Sequence, residues 1–80
     1  MTVEELKGDL RHSLALEEAS DTDWSTVEAL CLETLGRLNR GPEPAYPYDV
    51  VYHFLDDPDV RQKDAGYAAH QRAKLRDWLS

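Results

Sequence analysis

The sequence has a single cysteine, Cys31, and no long apolar run among its 80 residues. One cysteine excludes a disulfide within the chain and a zinc site made of several cysteines. No stretch approaches the ~20 apolar residues that a membrane-spanning helix needs. The segment from Met1 to Glu5 is acidic and lacks the apolar part of a signal peptide, so we expect a soluble cytoplasmic protein.

Motifs for phosphate binding and covalent catalysis are absent as well. The sequence has no glycine-rich phosphate loop, no P-loop and no G-x-S-x-G. Cys31 falls on the apolar face of a predicted helix, and no nearby base in the sequence would activate it. The paired carboxylates lie at predicted helix ends, where no pocket is indicated that would separate their pKa values. We therefore predict no catalytic residues, no cofactor and no enzymatic activity.

Acidic residues, by contrast, are plentiful and unevenly spread. The chain has 16 acidic and 9 basic residues, which gives a formal net charge of −7. Residues 1–59 sum to −10, with 14 acidic and 4 basic residues, and residues 60–80 sum to +3, with 2 acidic and 5 basic residues. Net charge bears on partners and solubility rather than on fold. This uneven distribution predicts that the acidic part binds a basic partner, that it pairs with the basic part of the same chain, or both.

Apolar residues recur at helical spacing in four segments, and no segment alternates convincingly with period two. Thr2 and Glu5 form a capping box that predicts a first helix over Val3–Glu18. A second capping box, Ser25–Glu28, begins a second helix, which Gly41 ends as a left-handed cap. These patterns predict an all-α fold.

A proline-rich loop precedes a short third helix, predicted over Pro47–Asp56. Pro58 disfavours helical geometry at the preceding Asp57, which should therefore end the third helix and cap the fourth. The fourth helix begins either at Pro58 or at Ala65, and the sequence leaves this open. Because short connections favour antiparallel neighbours, we expect a compact four-helix bundle-like arrangement in one domain over residues 1–80.

Three groups of residues are candidates for a partner-binding surface. They are an acidic turn, three tyrosines around the proline-rich loop, and two leucines that lie off the buried stripes of the first two helices. The predicted partner-binding residues are Asp56, Asp57, Asp59, Tyr46, Tyr48, Tyr52, Leu16 and Leu32. The tyrosines are equally suited to packing the loop onto the bundle. Unpaired leucines at the surface are typical of association sites.

A row of small residues on the fourth helix offers a route to self-association. Ala65, Ala69 and Ala73 recur every four residues, opposite the apolar stripe of that helix. Small side chains would let a second helix approach closely, which makes a homodimer possible. Alanine is also the best helix former, so an ordinary exposed face explains the row as well.

The basic C-terminal helix supports a second hypothesis, a small dimeric regulator that binds nucleic acid. Arg61, Arg72 and Arg76 lie on one flank of its apolar stripe, and Lys63 and Lys74 lie on the other. The acidic remainder of the chain would repel a polyanion. An internal match, in which the basic helix lies against the acidic helices, is therefore favoured over nucleic-acid binding.

A third hypothesis is a metal-binding protein. Asp49, His53 and Asp57 recur every four residues, the spacing that places ligands on one face of a helix. That face is predicted to point mostly toward solvent, and Asp57 is also the predicted cap of the next helix. A solvated face is therefore the favoured interpretation, and we predict no metal site.

The leading hypothesis is a non-catalytic helical protein that acts through protein–protein interaction. An acidic surface on the first three helices and the turn around Asp57 would dock a basic partner. Inhibitor, immunity-type and regulatory proteins that shield a nucleic-acid enzyme fit this chemistry. The sequence does not identify the partner, and no membrane association is expected.

Overall fold

Five α-helices make up the secondary structure of residues 1–80, all of which the computed structural model describes. The helices are α1 (Val3–Glu18), α2 (Trp24–Asn39), α3 (Tyr48–Asp56), α4 (Pro58–Lys63) and α5 (Ala65–Leu79). No strand is present, so the all-α prediction is confirmed. The number of helices differs from the predicted four, because the last predicted helix is divided.

The division occurs at Asp64, which ends α4 and begins α5. Its backbone is extended, with φ of −131° and ψ of 99°. Its Oδ1 accepts a hydrogen bond from the Tyr67 backbone N–H at 3.0 Å, which satisfies one of the free donors in the first turn of α5. Both starting points left open by the sequence, Pro58 and Ala65, therefore begin a helix.

The start of α2 differs from the predicted capping box. Asp23 caps this helix, since its Oδ1 accepts from the Thr26 N–H at 3.2 Å and its Oδ2 accepts from the Thr26 hydroxyl at 2.8 Å. The prediction that Ser25 is the cap is wrong. A carboxylate is a stronger acceptor than a serine hydroxyl. The earlier start also places Trp24 in the first turn, where it packs against the core.

The other predictions about helix ends are confirmed only in part. The capping box of α1 is confirmed, because the Glu5 N–H donates to Thr2 Oγ1 at 3.1 Å and the Thr2 N–H donates to Glu5 Oε1 at 2.8 Å. The prediction of a left-handed cap at Gly41 is wrong, since no glycine has a positive φ and Arg40 is the C-cap of α2. Arg40 Nε donates to the Gly36 carbonyl at 3.0 Å, so a side chain satisfies a carbonyl near this helix end.

The core is a single cluster of buried apolar residues from α1, α2, α3 and α5. Its members are Leu6, Leu10, Leu14, Val27, Cys31, Leu35, Leu38, Val51, Phe54, Leu55, Leu75 and Leu79. α1 packs on α2, α2 packs on α3 and α4, and α5 packs on α3 and α4. Burial of this apolar surface is the main favourable contribution to folding.

The short helix α4 contributes no residue to that cluster. Its one large apolar residue apart from proline, Val60, is 41% exposed. The break at Asp64 changes the helical phase, so the stripe of α5 does not continue into α4. The buried side of α4 holds Pro58 and a charged residue, Arg61.

The side chain of Arg61 is fully buried and joins three other helices. Its Nε donates to Glu17 Oε1 on α1 at 2.8 Å, and its Nη1 donates to Gln71 Oε1 on α5 at 2.9 Å. The same Nη1 donates to the Phe54 carbonyl on α3. The guanidinium carbon also lies 3.8 Å from the centroid of the Phe54 ring. Burial of a charge is tolerated only with such pairing, so these contacts fix the position of α4.

Further polar contacts surround this pair. Arg72 Nη1 donates to the second oxygen of Glu17 at 3.2 Å. Asp57, the residue before α4, makes no capping bond with its side chain. Its Oδ2 instead accepts from the Tyr67 hydroxyl at 2.7 Å and from Gln71 Nε2 at 3.2 Å. Asp57 thus occupies the predicted N-cap position of the helix that begins at Pro58. The predicted capping hydrogen bond is absent, because the side chain points toward α5 instead.

Replacement of Asp23 by alanine should lower the melting temperature by several degrees, whereas Ser25→Ala should leave it nearly unchanged. Hydrogen bonds from the Thr26 hydroxyl and N–H lower the pKa of Asp23 below its ordinary value of 3.8. Its contribution is therefore full above that value and is lost as the pH falls through the lowered pKa. Thermal unfolding monitored by circular dichroism at several pH values checks this. Equal losses in the two variants at neutral pH would contradict it.

Removing either partner of the buried pair should strongly destabilise the fold. Glu17→Gln and Arg61→Met are each expected to lower the free energy of unfolding by about 3–5 kcal/mol. The first leaves Arg61 buried without a counter-charge, and the second leaves Glu17 with Arg72 alone and removes the donor of Gln71 and of the Phe54 carbonyl. The double variant E17M/R61M should lose much less than the sum of the two single losses. Urea titration measures all three.

Arg76→Met is the matched control, since Arg76 pairs with Glu18 and both side chains are almost half exposed. An exposed pair contributes at most about 1 kcal/mol. A loss in Arg61→Met no larger than that of the control would show that the buried pair does not hold α4.

Candidate functional site

Several of the acidic residues are engaged within the molecule. Glu17 and Glu18 pair with arginines, and so do Glu5 and Asp9, which pair with Arg37 at 3.7 and 2.7 Å. Others cap helices or accept hydrogen bonds from side chains. The acids with such roles are Glu5, Asp9, Glu17, Glu18, Asp23, Asp57 and Asp64. Fewer free carboxylates are therefore available to a partner than the composition suggests.

Three acids without an internal ion pair lie together on a groove between α2 and the α3–α4 turn. The groove has a volume of about 210 Å³. We call it the acidic groove, and it is lined by Glu28, Leu32, Leu35, Leu55, Asp56, Pro58 and Asp59. Its three acidic residues are exposed, whereas Leu35, Leu55 and Pro58 are buried residues that belong to the protein interior. The groove thus combines an apolar floor with a carboxylate rim.

Leu32 is the most exposed large apolar side chain on this surface. It lies on α2 away from the buried face, as the sequence predicted, and is 68% exposed. Glu28 precedes it by one helical turn and therefore shares its face. Leu32 consequently extends the apolar floor outward beside a carboxylate.

The α3–α4 turn brings the other two carboxylates to the groove. Asp56 is the last residue of α3, and Asp59 lies in the first turn of α4. Negative charge is favourable near the beginning of a helix, which suits Asp59. Pro58 occupies the first position of α4, where its missing N–H is not needed, and this keeps the turn short.

Two predicted partner-binding residues lie elsewhere. The carboxylate of Asp57 is bonded to Tyr67 and Gln71 on α5 and is not part of the groove. Leu16 is half-buried and packs against the core, so the prediction that it is an outward-facing leucine is wrong. α1 contacts both α2 and α5, and its covered face is therefore wider than a single apolar stripe.

The three predicted tyrosines form a separate surface near the proline-rich loop. Tyr48 is 55% exposed and stacks on Tyr52, with 4.7 Å between the ring centroids. Tyr46 and Tyr52 are half-buried and pack against the core. Desolvation raises the pKa of Tyr46. Two of the three rings thus help to seat the loop, and none lines the acidic groove.

The residues of the metal hypothesis are not brought together. Asp49 and His53 line a cleft of about 200 Å³ between α3 and α5, beside His70, and Asp57 does not line it. No group of three or more histidine, cysteine, aspartate or glutamate side chains is close enough to hold a metal ion. Tyr67 also borders the cleft, and the hydrogen bond that it donates to Asp57 raises the pKa of Tyr67.

Most of the basic residues on the predicted flank of the C-terminal helix form ion pairs within the molecule. Arg61 is buried, and Arg72 and Arg76 pair with Glu17 and Glu18 of α1. Lys63 and Lys74 remain exposed and make no ion pair within the chain. The structure therefore contains ion pairs between the acidic and the basic parts of the chain, and it lacks a row of free arginines.

The small-residue row lies where the sequence placed it. Ala65, Ala69 and Ala73 are exposed on α5. Their use in a homodimer stays a prediction.

Cys31 lies in the core, where burial raises the pKa of its thiol. Its Sγ is 4.0 Å from Arg61 Nη2.

Four residues of the acidic groove were not among the predicted site residues: Glu28, Leu35, Leu55 and Pro58. Leu35 and Leu55 belong to the core, and helical periodicity does not show that a core residue also borders a surface depression. Glu28 was detectable, because it lies one helical turn before the outward-facing Leu32.

No protein-family model matches this sequence, and no curated protein or solved structure shows significant similarity to it. None of the five helices has the length and apolar character required to cross a bilayer.

The thiol of Cys31 should be unreactive in the folded protein. It is fully buried and its pKa is raised, so the reactive thiolate is both scarce and inaccessible. At pH 8 the native protein should react with a chromogenic disulfide reagent only at the rate of unfolding, and denaturant should restore fast reaction. Fast labelling without denaturant would contradict this placement.

Proposed function

We propose that this chain is a non-catalytic helical protein that binds a basic protein partner through the acidic groove. The observation that supports the proposal most directly is the exposed Leu32 beside an apolar floor with three carboxylates at its rim. Apolar surface contributes affinity, and the charges select the partner and accelerate its approach.

The charge distribution favours a basic protein over a nucleic acid. Because Arg61 of α4 and Arg72 and Arg76 of α5 are paired internally, these two helices offer little free positive charge to a phosphate backbone. The carboxylates of the groove repel polyanions and attract lysine and arginine. A protein surface that itself binds nucleic acid has the complementary charge, so an inhibitor, immunity-type or regulatory role fits the groove.

The groove also suits association better than catalysis. Its polar groups are carboxylates of the exposed residues Glu28, Asp56 and Asp59, and no histidine or cysteine lines it. General acid–base chemistry needs titratable groups whose environments separate their pKa values. Three exposed carboxylates on an open rim supply charge rather than such an environment.

Capture of partners from a cell lysate on the immobilised chain tests the proposal. A genuine partner should be retained at low salt and released at 0.5 M salt, where steering is screened because the Debye length falls below about 8 Å. The variant E28Q/D56N/D59N, which removes the rim charges, should lose that partner.

The control variant E33Q/E43Q/D77N removes the same number of charges from exposed positions outside the groove. It should retain the partner. Equal loss in the two variants, or retention unchanged at 0.5 M salt, would contradict docking at the groove.

A further inference from the structure

We infer that the segment seated in the acidic groove is a short basic peptide segment of the partner that inserts one apolar side chain, flanked on both sides by lysine or arginine. This inference rests on the proposed function and specifies what that groove recognises. It distinguishes binding through an inserted apolar side chain from binding through charge alone.

The size of the groove limits its occupant. Sites for drug-sized small molecules enclose about 300–1,000 Å³, whereas the acidic groove has about 210 Å³. It therefore accommodates a side chain rather than a small-molecule ligand. The open side lets the rest of a peptide continue across the surface.

The floor selects an apolar anchor. Leu35, Leu55 and Pro58 present carbon atoms, and a polar group seated there would lose its water without gaining a hydrogen bond. Leu32 stands beside the floor and is 68% exposed, so an inserted leucine, isoleucine, methionine or phenylalanine would cover it. A single side chain thus removes apolar surface of both partners from water.

The rim sets the charge pattern around the anchor. Glu28 lies on α2, whereas Asp56 and Asp59 lie across the groove at the α3–α4 turn. A bound segment therefore meets carboxylates on both sides of its anchor. None of the three makes an ion pair within the chain, so all three are available for lysine or arginine of the partner.

Two matched peptides test the inference by NMR. One is a short lysine-rich peptide with a single central leucine, and the other has serine in place of that leucine. Titrated into the ¹⁵N-labelled protein at low salt, the leucine peptide should shift the amide signals of Leu32, Leu55 and Asp59. It should bind about tenfold or more tightly than the serine peptide, as expected for burial of a leucine side chain.

Variants of the protein provide the reciprocal test. Leu32→Ser alters an exposed residue outside the core. It should lower the affinity for the leucine peptide and leave the affinity for the serine peptide unchanged. The variant E28Q/D56N/D59N should weaken the binding of both peptides, and E33Q/E43Q/D77N should weaken the binding of neither. The spectra of the free variants show directly that each one is folded.

The outcomes distinguish the inference from the proposed function. Equal, salt-sensitive binding of both peptides at the groove would overturn the anchor and leave electrostatic docking standing. Failure of both peptides to move the groove signals would count against docking of basic segments altogether. Groove signals that shift on dilution of the protein alone would assign the groove to a second copy of the chain, and this would overturn the inference as well.

Discussion

The arrangement of the helices depends on the buried ion pair between Arg61 and Glu17. A helix as short as α4 has little stability of its own, because formation of the first turn is unfavourable and few residues follow it. Arg61 compensates by bonding to α1, α3 and α5 at once. The pair is a constraint as much as a source of stability, since a buried charge without its partner is strongly unfavourable. The α3–α4 turn, and with it one wall of the acidic groove, is held where this pair places it.

The same constraint explains the uneven charge of the chain. Glu17 and Glu18 end α1, a position where the helix dipole disfavours negative charge, and the arginines of α5 lie against them. The basic C-terminal part thus balances the acids that the fold places unfavourably. Acids at favourable positions, such as Asp59 in the first turn of α4, need no such partner. The charge left over at the acidic groove is accordingly a local property of one turn and one face of α2, and not of the acidic part as a whole.

The sequence predicts most of the fold but only part of the site. Periodicity places α1, α2 and α3 within one or two residues, because each buries a regular apolar stripe. It fails at Arg61, since a charged residue on the flank of a stripe is ordinarily solvated, and only the tertiary arrangement brings Glu17, Gln71 and the Phe54 carbonyl to it. The outward position of Leu32 follows from helical phase alone. Its proximity to Asp56 and Asp59 does not, because that depends on how α2 packs against the α3–α4 turn.

The carboxylate rim also has a consequence for the free protein in solution. An exposed leucine beside an apolar floor is a potential point of self-adhesion, and two copies meeting groove to groove would bring their rims into contact. Like charges oppose that encounter as long as the carboxylates are ionised. The net charge of the whole chain approaches zero near its isoelectric point of about 4.7, where repulsion between copies is weakest. The carboxylate rim therefore also opposes aggregation of the free protein, and we expect solubility to be lowest near the isoelectric point.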